Sequence, residues 1–178
     1  MLLVTSTSPI SQVTWHPFEA GRFSVTSDEK AVEIWDIRAP RMSTKFVSSG
    51  LNLFSSWSPD GKYIALVNKS NFITVFDVIT ARQIKKVKFL YEINELQWTA
   101  NSDYLLVATA SSDQGKIEVL AFDGEELELV ESISGHTGTC LCLKVDPIFR
   151  RVAVGAADYN LTLWHLDTLV CRQTIPFE

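Results

Sequence analysis

Short apolar runs separated by turn-forming residues recur along the whole chain. They are too short, and too rich in Val, Ile, Thr and aromatic residues, to be helices. Tyr63-Ile64-Ala65-Leu66-Val67 is continuously apolar, as expected of a strand covered on both faces. Pro59-Asp60-Gly61 marks a turn, because proline presets φ and glycine accepts φ > 0. The pattern predicts strands near Phe54–Trp57, Tyr63–Val67, Phe72–Asp77 and Gln83–Phe89 in one stretch. It predicts four more near Cys140–Val145, Arg151–Ala156, Leu161–Leu166 and Cys171–Ile175.

These runs repeat. Val13-Thr14-Trp15-His16-Pro17 leads to Ala31-Val32-Glu33-Ile34-Trp35-Asp36, and Ser56-Trp57-Ser58-Pro59 leads to Phe72-Ile73-Thr74-Val75-Phe76-Asp77. Gln97-Trp98-Thr99 then precedes Lys116-Ile117-Glu118-Val119-Leu120, and Lys144-Val145-Asp146-Pro147 precedes Asn160-Leu161-Thr162-Leu163-Trp164-His165. The first-strand anchors fall at 15, 57, 98 and 145, and the third-strand anchors at 35, 76, 120 and 164. A period of about 40–45 residues with four strands per repeat is that of β-propeller blades. The fold expected is therefore all-β: sixteen strands in four antiparallel four-stranded blades, at about 10–49, 50–90, 91–134 and 135–178 of a partial propeller spanning 1–178. Four repeats fill the chain and leave no strand to close a ring, so an open arc is expected, able to self-associate through uncovered blade faces.

Trp35-Asp36, Trp57-Ser58-Pro59-Asp60-Gly61, Gly135-His136 and Asp158 through Trp164 resemble the motifs of the WD-repeat family. The resemblance implies a seven-bladed ring, of which this chain would be an open fragment. It also implies a hydrogen-bonded tetrad in each blade: a His before the first strand, a Ser or Thr on the second, an Asp in the next turn and a Trp on the third. The last repeat supplies His136, Asp158 and Trp164, with Ala156 where the hydroxyl belongs, so its tetrad is expected to be incomplete. The repeat Trp-Asp positions are Trp35 and Asp36, then Phe76 and Asp77, and Leu120 replaces the Trp in the third repeat. The first repeat lacks a Gly-His lead, as if a blade were missing upstream.

The order of divergent repeats is similar to that of the THO complex third-subunit (Tex-type) family. Trp15-His16-Pro17, Trp57 to Gly61 with Val67-Asn68-Lys69, Glu92 to Trp98, Cys140 to Pro147 and Leu166 to Cys171 come in that family's sequence. That likeness implies a non-catalytic nuclear scaffold coupling transcription to mRNA processing and export. Its partners would be other THO subunits, and its association with mRNA indirect. The alternative is another WD-repeat adaptor, such as a substrate receptor in ubiquitin ligation or a chromatin-associated scaffold, since a fold does not choose its partners.

Composition narrows the chemistry. The 178 residues carry 16 basic and 21 acidic side chains, a net charge of −5, without the basic balance of a nucleic-acid binder. No apolar run approaches the length of a membrane span, so no membrane association is expected. Cys140, Cys142 and Cys171 read as buried reduced thiols, the first two on one face of a strand. Each of the three histidines has a place in the repeat. No nucleophile elbow, metal motif or phosphate loop occurs, so no catalytic residue, metal or cofactor is expected. Trp15, Trp57 and Trp98 share one repeat position and read as core. Arg38, Arg41, Phe18 and Tyr159 on turns are the candidate contact residues. Lys85, Lys86 and Lys88 are either a charged edge that discourages strand addition or a rim patch for RNA or an acidic partner.

Overall fold

The structure, a computed structural model, describes residues 8–39, 42–110 and 114–177, and these residues form strands and turns without helix. The first sheet holds β1 (Ile10–Trp15), β2 (Arg22–Ser27), β3 (Ala31–Asp36) and β4 (Met42–Val47). The second holds β5 (Asn52–Trp57), β6 (Tyr63–Asn68), β7 (Phe72–Asp77) and β8 (Gln83–Lys88). The third holds β9 (Glu92–Trp98), β10 (Tyr104–Ala110), β11 (Gly115–Phe122) and β12 (Leu127–Ser134). The fourth holds β13 (Cys140–Asp146), β14 (Arg151–Ala156), β15 (Asn160–His165) and β16 (Val170–Pro176). Every sheet is antiparallel, and its spatial order is its chain order. The predicted strand ends move by one or two residues; Phe89 lies beyond β8, buried all the same.

A shared irregularity marks all four sheets. The ladder between third and fourth strands shifts at Ile34/Trp35, Val75/Phe76, Val119/Leu120 and Leu163/Trp164, each time beside the third-strand anchor. A bulge there adds twist and redirects the side chains that flank it. First and second strands shift once as well, in the last sheet between Cys140 and Cys142. That bulge overturns the expectation for the cysteines. The extra residue breaks the two-residue period, so Cys140 is buried in the core while Cys142 is exposed; Cys171, on β16, is half-buried.

The chain divides into two compact units, residues 1–88 and 89–178. In the N-terminal unit, Val32, Ile34 and Phe46 of the first sheet meet Trp57, Ile64, Leu66, Phe76 and Val78 of the second. The Phe46 and Phe76 rings lie 5.2 Å apart. Burying each such side chain contributes about 1.5–3 kcal/mol. Hydrogen bonds fix the register of one sheet on the other: Ser55 N donates to Gln12 Oε1 (2.7 Å), and Thr26 Oγ1 to Ser55 Oγ (3.0 Å).

In the C-terminal unit, Leu106, Ala108, Ile117 and Val119 of the third sheet pack against Leu143, Val152, Val154 and Trp164 of the fourth. Asn94 Nδ2 donates to the Cys140 carbonyl (2.7 Å), and Val145 N donates to Gln97 Oε1 (2.9 Å). Gly115 N donates to the Gly138 carbonyl at 3.0 Å. A Cβ on Gly115 would lie 2.3 Å from the backbone of both Gly138 and Cys140, so only glycine lets these strands approach.

The first-strand tryptophans do not all become core. Trp57 and Trp98 are buried, but Trp15 is 61% exposed, touched edge-on by Phe23 at 5.4 Å. Trp57 has the first sheet to pack on, and among the described residues no sheet covers Trp15 in the same way.

Candidate functional site

The last repeat brings its predicted residues together and adds one. Thr162 and Trp164 stand two apart on β15, so both project from one face. His136 comes from the segment before β13, and Asp158 from the β14–β15 turn. Trp164 Nε1 donates to Thr162 Oγ1 at 2.7 Å, and His136 Nε2 lies 2.7 Å from the same oxygen. The Asp158 carboxylate can only accept, so His136 Nδ1, 3.1 Å from both of its oxygens, carries the ring proton. In that tautomer His136 Nε2 is an acceptor and Thr162 Oγ1 donates to it, while the same oxygen accepts from the indole. The tetrad is therefore complete, contrary to expectation: Thr162 on the third strand replaces the hydroxyl that Ala156 cannot provide.

The glycine before His136 has a steric cause. A Cβ on Gly135 would lie 2.2 Å from the Trp164 ring. Asp158 ties the network to two backbone segments, accepting from Thr137 N (2.9 Å) and Asn160 N (3.1 Å). Burial opposes charge on Asp158, but those amides and the His136 ring outweigh it and hold the carboxyl below its ordinary value.

The repeat aspartates serve turns. Asp36 accepts from Arg38 N at 2.8 Å and meets the Arg38 guanidinium at 2.6 Å, which holds its pKa down to about 2. Asp77 accepts from the amides of Ile79 and Thr80, which hold its carboxyl low against some desolvation. Trp35 makes no tetrad; its Nε1 donates to Glu33 at 3.3 Å. The buried Cys140 thiol is pushed up to about 12 by desolvation, too high for a nucleophile.

His16 fills the slot after the first-strand anchor, the slot of Ser58 and Thr99 in the next two repeats. Its Nδ1 accepts from Glu19 N at 3.0 Å and, more weakly, from Phe18 N at 3.4 Å. The ring is wedged between Phe18 and Trp57, each 4.7 Å away. Desolvation lowers its pKa, Arg22 reinforces this, and Glu19 opposes it. His16 and Asp158 both bind protons less readily folded than unfolded, so stability present at neutral pH is lost on acidification. The expected loss begins as pH falls below the ordinary histidine value of 6.5 and resumes below the ordinary carboxylate value of 3.8. Urea unfolding across this range should show the upper phase vanish in His16→Ser, which copies Ser58. A wild-type stability flat from about pH 7.5 to 5 contradicts this reading.

Of the candidate contact residues, Tyr159 follows Asp158 in the β14–β15 turn. Phe18 is 65% and Tyr159 78% exposed. Arg38 is exposed but held by Asp36. Arg41 lies outside the described residues. Lys86 and Lys88 both lie over the Phe72 ring, at 4.0 and 4.8 Å, and Lys85 projects from the neighbouring position of β8. Among the described residues, no three His, Cys, Asp or Glu side chains converge as metal ligands.

Over residues 2–141 the chain matches the family model of Eukaryotic translation initiation factor eIF2A, and over residues 127–165 that of the WD domain, G-beta repeat. It is 30% identical over 168 residues to THO complex subunit 3 of Arabidopsis thaliana, a match covering 94% of this chain and 52% of that protein. It is 25% identical over 166 residues to WD repeat-containing protein AAC3 of Dictyostelium discoideum, covering 93% of this chain and 35% of that one. The chain thus spans about half, or less, of the length of these relatives. It superposes on a chain of Kuenenia stuttgartiensis hydrazine synthase with a TM-score of 0.82 at 16% identity, over 98% of this chain and 51% of that one. At that identity the likeness is one of fold alone.

Proposed function

We infer the function of this chain from one premise: it belongs to the WD-repeat β-propeller family and, through residues 2–141, to the family of Eukaryotic translation initiation factor eIF2A. On that premise the chain is a non-catalytic protein-interaction scaffold. The side chains of the last repeat's tetrad, His136, Thr162 and Asp158, are engaged in holding strands and turns, which supports that reading. The specific assembly proposed is the THO complex, in the nucleus, with mRNA bound indirectly through other subunits. The observation that carries it is the match to THO complex subunit 3 across 94% of the chain. Phe18 and Tyr159, large and exposed on turns, are the proposed anchors, and uncovered sheet faces allow self-association.

Affinity purification of the tagged chain from nuclear extract tests this. Other THO subunits should be recovered, and Phe18→Asp with Tyr159→Asp should lower the recovery about tenfold or more. The second reading, an adaptor of another assembly, is favoured by the eIF2A match over residues 2–141. Recovery of ribosomal, ubiquitin-ligase or chromatin components without THO subunits would establish it instead.

A further inference from the structure

A cleft of about 740 Å³ opens within the C-terminal unit, between the turns of the third and fourth sheets. Its size is that of a binding site, for which about 300–1,000 Å³ is usual. The equivalent groove in the N-terminal unit is occupied. There Phe18, three residues past the Trp15 anchor, packs on His16 and stands over Gly61, whose Cβ would come within 2.9 Å of the Phe18 ring. Three residues past Trp98 the chain has Asn101, and the His16 position is Thr99. Both are too small to cover the gap, and both line the cleft.

The floor is apolar: Leu106 and Val119 belong to the core, and Leu166 and Leu169 pack on it. Val130 and Ile148 on the walls are 52% and 76% exposed. The rim is acidic. Glu131, Asp146 and Asp167 line it against one guanidinium, Arg150, which is already bound to Asp167 at 2.5 Å. We propose that this cleft binds a segment of a partner protein that presents apolar anchor side chains flanked by arginine or lysine. The floor takes the anchors by area removed from water, and the rim supplies complementary charge. The same carboxylates repel a phosphate backbone, so the occupant is a peptide segment and not RNA.

This deepens the scaffold reading and rests on it, but not on the identity of the assembly. The test uses the purified full chain and two fluorescein-labelled synthetic peptides. One carries two leucines three residues apart between arginine pairs; in the other, glutamates replace the arginines. Fluorescence anisotropy should show the arginine peptide binding at least about tenfold tighter, with the advantage shrinking as salt is added. Asn101→Phe, which places a Phe18-like ring over the cleft, and Glu131→Arg should each weaken binding about tenfold or more. Lys86→Ala, in the other unit, should not. Glu131→Arg changes an exposed side chain and so carries the test if Asn101→Phe does not fold.

Equal binding of the two peptides, binding of neither, or indifference to both cleft substitutions would overturn the proposal. So would sedimentation showing a dimer that Asn101→Phe dissociates, because the occupant would then be a second copy. Peptide binding retained by a chain that recovers no THO subunits refutes the choice of assembly and leaves the cleft standing.

Discussion

Trp164→Ala is expected to lower the free energy of unfolding by about 3–5 kcal/mol, the range for deleting a buried aromatic side chain. Trp164 is 7% exposed and packs in the core shared by the third and fourth sheets. The cavity cannot collapse easily, because Gly135 approaches the indole and has no side chain to move in. Part of the loss is polar, and Thr162→Val isolates it. That substitution removes the oxygen on which both Trp164 Nε1 and His136 Nε2 depend, at 2.7 Å each. Two buried groups are stranded, for a loss of at least about 1–3 kcal/mol with little change in volume. Denaturant unfolding of both variants settles the matter. If Thr162→Val unfolds like the wild type, the hydroxyl does not close the tetrad, whatever happens at Trp164.

Trp57→Ala should cost about as much, 3–5 kcal/mol, in the other unit. The indole fills the seam between first and second sheets, and its Nε1 donates to Ser24 Oγ (3.1 Å) and the Thr14 carbonyl (3.3 Å). A double-mutant cycle with Ser24→Ala separates packing from hydrogen bonding, with an expected coupling of about 0.5–3 kcal/mol between touching partners. The chain comprises two compact units, so far-ultraviolet and tryptophan-fluorescence transitions should be compared before a single unfolding energy is assigned. A Trp57→Ala variant within about 1 kcal/mol of wild type would show that the seam does not hold these sheets together.

The repeat was legible because its anchors are large and evenly spaced. Trp15, Trp57 and Trp98 mark first strands, and turns such as Pro59-Asp60-Gly61 mark where the next begin. Thr162 was not legible from the family motif, which puts the hydroxyl on the second strand. Its signal was local: a polar residue between Leu161 and Leu163, two places before Trp164 and therefore on its face. The opposite fates of Cys140 and Cys142 could not be read, because a bulge changes strand phase without any distinctive residue of its own. Exposure of Trp15 was hidden for another reason: pattern shows which side of a strand is apolar, not whether a neighbour covers it. The cleft has no residue signature of its own: aligning the repeats on their tryptophans shows Asn101 in the place of Phe18, but not that a gap opens there.

The chain-order arrangement of every sheet bears on how the molecule is made. Each hydrogen-bonded strand pair joins neighbours in sequence, β1 to β2 to β3 to β4 and likewise in the other three sheets. Closing such hairpins loses little loop entropy, so a blade can assemble as soon as its own residues have left the ribosome. The bonds that dock one sheet on the next span 29 residues between Thr26 and Ser55 and 48 between Gln97 and Val145, and are available only afterwards. Synthesis should thus deliver prefabricated sheets one at a time, and the hazardous interval is the wait for a successor. Until β5–β8 emerge, Ile34 and Phe46 have nothing to cover them. A chaperone that shields a single apolar sheet face for the time needed to translate about 40 residues, a few seconds at ordinary elongation rates, would protect the nascent chain through its most aggregation-prone stage.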